Sequence, residues 1–342
     1  MLKWFQFNQR NLPWRKNRDP YRIWISEVML QQTQVAKVIP YFINFSNKFP
    51  DINSLAKGTL HDVLKLWEGL GYYARARNLY QAAALINKNH QGKIPQNYSI
   101  LIKLPGIGDY IASAVLSQAF KLPYPVVDGN VKRILSRFFL INSPVNLSNS
   151  KKIFAKKAEK LLDQNHPGDY NQAMMELGAI ICKPQNPLCE KCPITEFCDA
   201  FLNNKQNQFP IKAKKKPVPQ YHIAVGVIFK EGKVLMIQRR NSGLLGGLWE
   251  FPGGKIKKGE SATNACIREM KEKVNAEVTQ LEFLTEIKHI YSHFKIRMEI
   301  FKCNYSSGEI IPKEHQGFRW IRIKKISDFP VHSANLKILP LL

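Results

Sequence analysis

Two carboxylates and four thiols are the residues of this sequence best placed to do chemistry. Glu27 lies inside the apolar run Ile23-Trp24-Ile25-Ser26-Glu27-Val28-Met29-Leu30. A helical Glu is by default a solvated surface residue. One with so many apolar neighbours can instead be partly buried with a raised pKa, hold a proton near neutrality and act as a general acid. Asp128, in Val126-Val127-Asp128-Gly129-Asn130-Val131, stands just before a helical run, which is ordinarily the place of an N-cap. Cys182, Cys189, Cys192 and Cys198 follow C-x6-C-x2-C-x5-C, four thiols within 17 residues. Nothing else points to export, so a disulfide knot is disfavoured and a metal site expected. Zinc commonly uses two short Cys pairs. Only one pair is short here, and all-Cys ligation with longer gaps suits a cubane iron–sulfur cluster.

These groups need elements to hold them. Asp19-Pro20 starts a helix through Ile23, Trp24, Val28 and Leu30, which carries Glu27. Leu104-Pro105-Gly106-Ile107-Gly108 is a tight turn between two stretches with apolar residues at helical spacing: Tyr98, Ile100, Leu101 and Leu104 before it, Ile111, Val115, Leu116 and Ala119 after it. Bare N–H groups at the start of the second helix suit a phosphate. Gln31-Gln32-Thr33-Gln34 is either a plain helix surface or a set of fingers for a duplex. Gly69-Leu70-Gly71-Tyr72-Tyr73-Ala74-Arg75 is either an interhelix turn with a core Tyr or a loop that wedges stacked bases. Helical patterns run to about residue 181 without clean alternation, so residues 1–202 read as all-α with the cysteine loop at 182–198. Residues 203–220, NNKQNQFPIKAKKKPVPQ, read as a linker.

Beyond it the period changes. Tyr221–Phe229 and Val234–Arg240 read as a strand pair, Ile296–Phe301 and Phe318–Ile321 as further strands, and Ala262–Val274 as a helix. Residues 221–342 are thus an α+β domain with a mixed sheet. Cys266 and Cys303 are expected to be packed. The whole chain has 342 residues, ample for two cores. Residues 1–200 hold 26 Lys and Arg against 14 Asp and Glu, and the remainder 25 against 12, so both halves are strongly basic. That suits two surfaces laid on a polyanion, although a solvated basic surface gives the same count. MLKWFQFNQRNLPW has no signal-peptide core and no run of 18 apolar residues occurs, so a cytoplasmic protein with no membrane partner is expected.

The LPGIG hairpin followed by Asp128 resembles the helix-hairpin-helix base-excision glycosylases. The cysteine spacing resembles the cluster loop of the endonuclease III-like members. GGKIKKGESATNACIREMKEKVNA resembles a Nudix box, with Gly254, Glu260, Arg268, Glu269 and Glu272 in place. Lys273 departs from its last metal-binding Glu, and Asn275 from its Gly, so nucleotide hydrolysis is not expected. Glu27 in SEVMLQQTQV, the hairpin, Asp128 in VDGNV, the four cysteines and the Nudix-like segment together resemble the MutY family, which removes adenine opposite 8-oxoguanine.

The resemblance implies a multidomain protein: an all-α helix-hairpin-helix glycosylase with a [4Fe-4S] cluster on Cys182, Cys189, Cys192 and Cys198, then an α+β Nudix-like domain. It implies that Glu27 protonates the adenine and that an ionised Asp128 stabilises the sugar cation. Tyr110 would stand where lyase relatives carry a catalytic Lys, which makes the enzyme monofunctional. Asn130 would order Glu27 or a water. Leu104, Gly106 and Gly108 would grip the DNA backbone, and Gln32 and Tyr72 would enter the duplex. Trp14 and Arg15 would line the adenine pocket, and Tyr291, Ser292 and His293 would recognise 8-oxoguanine. The expected partner is double-stranded DNA with A:8-oxoguanine or A:G mispairs, bound by a monomer. A chain ending near Asn207 is expected to fold. Rival readings are a glycosylase/lyase, a nucleotide pyrophosphatase and a non-catalytic DNA-binding protein.

Overall fold

The structure, a computed structural model, describes residues 1–214 and 217–342. Twelve helices precede the first strand among the described residues: α1 (Leu2–Asn8), α2 (Pro20–Leu30), α3 (Val35–Lys48), α4 (Ile52–Lys57), α5 (Leu60–Leu66), α6 (Ala74–His90), α7 (Tyr98–Leu101), α8 (Asp109–Phe120), α9 (Gly129–Phe138), α10 (Lys151–Leu161), α11 (Pro167–Ile180) and α12 (Asp199–Leu202). There follow β1 (Gln220–Lys230), β2 (Lys233–Arg239), β3 (Trp249–Glu250), β4 (Gly253–Lys255), α13 (Ala262–Val274), β5 (Glu277–Ile290), β6 (Lys295–Ser307), β7 (His315–Arg322) and α14 (Ser333–Leu336). Among the described residues no helix is long and apolar enough to cross a membrane.

The chain divides into two units, Met1–Lys57 with Gln81–Lys215, and Gly58–Tyr80 with Lys216–Leu342. This differs from the division read from composition. Residues 209–213 lie in the first unit, where Phe209 O accepts from Arg137 Nε (3.0 Å), Ile211 O from Val145 N (3.0 Å) and Ala213 O from Asn146 Nδ2 (2.9 Å). These are polar backbone pairings, which a polar, basic segment makes without advertising them. Lys215 and Lys216 of the expected linker lie outside the described residues. Residues 58–80 belong to the second unit: Gly247 leaves no room for a Cβ because Leu64 Cδ1 would stand 2.8 Å from it. Helical periodicity marks an apolar face but not its partner, so composition alone kept this segment with its sequence neighbours.

In the first unit α2 is buried on nearly all sides and packs against α8. Asp19 caps it by accepting from Arg22 N at 2.9 Å, and Pro20 starts it, as the sequence suggests. In α9 the side chain of Asp128 accepts from Val131 N, so Asp128 is indeed an N-cap.

The second unit holds one mixed sheet in the order β3-β2-β1-β6-β5, with β4 also on β1 and β7 also on β2. Strands β1 and β6 run parallel, and the other pairs antiparallel. Ala265, Cys266, Met270 and Val274 of α13 join one core with Cys303, and Val331, Ala334 and Ile338 join another. The strand β5 has no counterpart in the sequence reading. Its pairing with β6 shifts register three times, which breaks the alternation by which a half-buried strand is recognised.

Candidate active site

Glu27 sits on the buried helix α2 and is 4% exposed. Tyr110, at the start of α8, donates its hydroxyl to Glu27 Oε2. Gln118 Nε2, two turns further along α8, donates to Oε1 at 3.1 Å. Tyr110, Ala114 and Gln118 recur every four residues and therefore share one stripe of the helix. Burial pushes the Glu27 carboxyl above its usual range, and the charge of Asp128 adds to that, while Tyr110, Gln118 and Arg15 oppose it. The Tyr110 hydroxyl is held well above its ordinary pKa, by burial first and then by Glu27, so it remains a neutral hydrogen-bonding group. Its oxygen also lies 3.7 Å from Met175 Sδ. Gln118 was not singled out from sequence. Its position on the α8 stripe with Tyr110 was the available signal.

Asp128 caps α9 through Oδ1, which accepts from Val131 N at 2.7 Å, and its Oδ2 accepts from Asn130 Nδ2 at 3.0 Å. Asn130 Oδ1 in turn accepts from Arg133 Nη2 at 2.9 Å. Asn130 therefore orders Asp128, where the resemblance implied Glu27 or a water as its partner. Two residues from Asp128 along the first turn, it reaches the cap more readily than a neighbouring helix. Burial raises Asp128 as it raises Glu27. The donors differ: Val131 N–H, the Asn130 amide and the Arg133 charge all favour ionised Asp128, and the start of α9 favours negative charge.

Arg133 continues to the cysteine segment, donating from Nε to Cys182 O at 2.7 Å and from Nη2 to Gly178 O at 2.7 Å. Arg137 places Nη1 3.2 Å from Cys182 Sγ and donates to Lys183 O and Pro184 O. Burial raises Cys189, Cys192 and Cys198, Cys192 to about 11, and the neighbouring thiols raise each of them further. Among the described residues no three His, Cys, Asp or Glu side chains converge on a single ion. Four thiols within 17 residues are a donor set whose chemistry fits an iron–sulfur cluster.

In the hairpin, Gly106 has φ +75°, a conformation that favours glycine. Gly108 is the N-cap of α8, no side chain caps the helix, and a Cβ on Gly108 would meet nothing within 4 Å. The first-turn N–H groups of α8 are therefore without a side-chain cap. The side chain of Leu104 is buried, so Leu104 braces the turn, its O accepting from Ile107 N. Gln32 and Tyr72 are both exposed and both non-glycine residues with positive φ, 56° and 51°. Such backbone strain gathers at functional positions. Gln32 belongs to the first unit and Tyr72 to the second.

Trp14, Arg15, Ile23, Gln118 and Asp169 line a cavity of about 330 Å³ in the first unit. Trp14 is buried edge-on against Phe42, their centroids 5.3 Å apart. Arg15 Nη2 pairs with Glu176 Oε2 at 2.8 Å, and Arg10 Nε with Oε1 at 2.5 Å. Burial alone would raise Glu176, but these two cations hold it below the carboxylate range. The sequence reading missed Glu176 because its partners lie more than 160 residues away.

In the second unit Ser292 and His293 are exposed between β5 and β6, whereas Tyr291 is half-buried against Phe294 and His289. In the Nudix-like segment Arg268 reaches Glu260 (2.7 Å), Glu269 (2.6 Å) and Glu272 (2.9 Å). The Arg268 hydrogen bond holds Glu260 down to about 2. Lys273 pairs with Glu314. Asn275 adopts the left-handed conformation that ends α13, φ 55° and ψ 34°. Asparagine tolerates that region better than most residues, so it can end the helix where the box has Gly.

Residues 25–164 match the HhH-GPD superfamily of base excision DNA repair proteins, residues 182–198 the iron–sulfur binding domain of endonuclease III, and residues 224–341 the NUDIX domain. The adenine DNA glycosylase of Rattus norvegicus is 34% identical over 99% of this chain and 76% of its own length. That of Homo sapiens is 33% identical over 99% and 72%, and that of Buchnera aphidicola subsp. Baizongia pistaciae 37% identical over 86% and 82%. Among solved structures, a thermostable thymine-DNA glycosylase is 30% identical with a TM-score of 0.55, covering 59% of this chain and 93% of that one. A non-covalent endonuclease III–DNA complex, 24% identical with a TM-score of 0.50 over 59% and 92%, shares the fold.

Proposed function

The chain belongs to the adenine DNA glycosylase (MutY) family, and from that premise we propose that it is a monofunctional hydrolase, a cytoplasmic monomer, that removes adenine paired with 8-oxoguanine or G in duplex DNA. The observation that carries this reading is Glu27, buried beside Asp128 with both its oxygens engaged by Tyr110 and Gln118. Adenine departs poorly as an anion. A protonated Glu27 would donate to a ring nitrogen and turn the base into a neutral leaving group. The target base must first leave the stack. The sugar then becomes oxocarbenium-like, and ionised Asp128, held by Asn130 and the start of α9, would stabilise or capture it.

Tyr110 offers no amine, so no Schiff base forms and the product is an intact strand with an abasic site. Gly106 and Gly108 would bring the bare start of α8 to a phosphate, with Leu104 bracing the turn. Gln32 and Tyr72 would enter the stack, and Trp14 and Arg15 would shape the adenine pocket, with Arg15 already paired to Glu176. Ser292 and His293 would face the oxidised purine, with the Tyr291 ring as their support. Cys182, Cys189, Cys192 and Cys198 would hold a [4Fe-4S] cluster, in a loop that Arg133 and Arg137 join to α9. The lyase reading is disfavoured by Tyr110 and the pyrophosphatase reading by Lys273. The deciding experiment incubates the protein with duplexes holding A opposite 8-oxoguanine, G, C or T and then cleaves abasic sites with alkali. Cleavage with the first two and its loss in Glu27→Gln is expected. Equal cleavage by Glu27→Gln would refute the assignment.

A further inference from the structure

Residues 58–80 are helical in sequence, yet they are built into the unit that carries the Nudix-like sheet. Arg77, 8% exposed, donates from Nη1 to Gly246 O at 3.1 Å and from Nη2 to Gly243 O at 2.7 Å. Lys65 Nζ donates to Phe329 O at 3.3 Å, and His61 Nε2 meets Asp328 O at 3.0 Å. These contacts bracket the loop that presents Tyr72. Within it Gly71 O accepts both from Trp67 Nε1 (3.1 Å) and from Arg75 Nη2 (3.0 Å). Gly69 and Gly71 have φ +88° and +83°, so the loop's path depends on these residues.

Glu68 Oε1 accepts from Val331 N at 2.7 Å, while Glu68 Oε2 accepts from Lys65 Nζ at 2.5 Å. Val331 is fully buried and sits in a short extended segment bridged to Trp249, whose N donates to Pro330 O at 2.9 Å. The next residue, His332, is buried. Its Nε2 faces Glu250 Oε2 at 3.3 Å, and a carboxylate only accepts, so that nitrogen carries the proton. Its Nδ1 lies 3.3 Å from the Tyr291 hydroxyl. The two residues Val331 and His332 thus hold the Tyr72 loop by one hydrogen bond and the Tyr291–His293 hairpin by another.

We propose that Glu68 is a positioning residue for lesion discrimination: through Val331 and His332 it sets the Tyr72 loop and the Tyr291–His293 hairpin in register, so that both meet the mispair together. The proposal rests on the lesion-reading role assigned to that hairpin above. A buried backbone N–H is costly to leave unpaired. Removing the Glu68 carboxyl would therefore let Val331 shift, and His332 and Tyr291 with it.

The test measures single-turnover adenine release by the full chain from A:8-oxoguanine and A:G duplexes. Glu68→Ala should lower the preference for 8-oxoguanine by roughly 2- to 30-fold, the span for coupling through a packed joint. Glu68→Gln keeps a carbonyl oxygen for Val331 N–H and should retain the preference, a rescue that a general loss of stability does not produce. If Glu68→Ala does not fold, Glu68→Asp, one methylene shorter, replaces it under the same criteria. An unchanged preference in the shortened variant overturns the proposal, as do equal falls on both duplexes or a Gln variant as impaired as the Ala variant. A wild type without preference for 8-oxoguanine would instead remove the lesion-reading role, and the proposal with it.

Discussion

Glu27 Oε1 lies 3.1 Å from Gln118 Nε2, an amide group that only donates. The proton of a neutral Glu27 is therefore steered to Oε2, toward the Tyr110 oxygen. On protonation the Glu27–Tyr110 hydrogen bond reverses, and the Tyr110 hydroxyl proton can turn to Met175 Sδ at 3.7 Å. The site can thus hold Glu27 in either state without an orphaned hydroxyl.

The first prediction follows from burial of Glu27. Its pKa is raised in the folded state, so the stability it contributes is full below its ordinary carboxyl pKa and is lost as pH rises through the folded value. Adenine release should fall on the alkaline side as the proton is lost. Glu27→Gln should abolish release, a loss of at least about 10²-fold, while mismatch binding stays near wild type. Its melting temperature should gain on the wild type from pH 4.5 upward. A melting difference that does not change between pH 5 and pH 8 would contradict the buried assignment.

Gln118 lowers the Glu27 pKa by donating to it. Gln118→Leu should therefore move the alkaline limb of the rate profile to higher pH. Rates at a series of pH values in single turnover decide this. A limb that moves to lower pH means that Gln118 does not donate to the carboxylate.

Asn130 Nδ2 donates to Asp128 Oδ2, and Val131 N–H to Oδ1. Removing a hydrogen bond to a charged group costs about 1.5–3 kcal/mol, so Asn130→Ala should slow adenine release by roughly 10- to 100-fold while Asp128→Asn nearly abolishes it. Gly178→Ala should also impair release, because a Cβ there would lie 2.5 Å from Asn130 Cβ. Wild-type rates in Asn130→Ala would separate Asn130 from the catalytic group.

Purified protein should be brown and contain iron and acid-labile sulfide in equal amounts. Cys192→Ser should lower both and destabilise the segment that Arg133 and Arg137 hold to α9. Zinc without sulfide in the wild type would exclude the cluster.

Phosphate release from 8-oxo-dGTP with Mg²⁺ or Mn²⁺ should be absent. Lys273 puts a cation where a dication would bind. The full chain is the material to use, because residues 58–80 complete the second unit. For the same reason a chain ending near Asn207 would leave those residues without their partner and also lack Phe209 and Ile211, which the first unit holds. Turnover that vanishes in Glu269→Gln would show a second activity.

Where function depends on neighbours in the chain, the amino-acid sequence was sufficient. Asp128 as a cap, the Pro20 helix start, the glycine turn at 106–108, the cysteine spacing and the limits of α13 all rest on contacts within a few residues, and local chemistry encodes them. Tertiary structure decided whatever needed a distant partner. Sequence raised the possibility that Glu27 was buried, but only the approach of α8 supplied Gln118, 91 residues away. Arg15 became the partner of Glu176 across 161 residues, and Glu68 of Val331 across 263. Strand β5 was hidden because its bulges erase the period that a sequence can display. The allegiance of residues 58–80 was hidden because periodicity shows that a helix has an apolar face and leaves open which core that face will join.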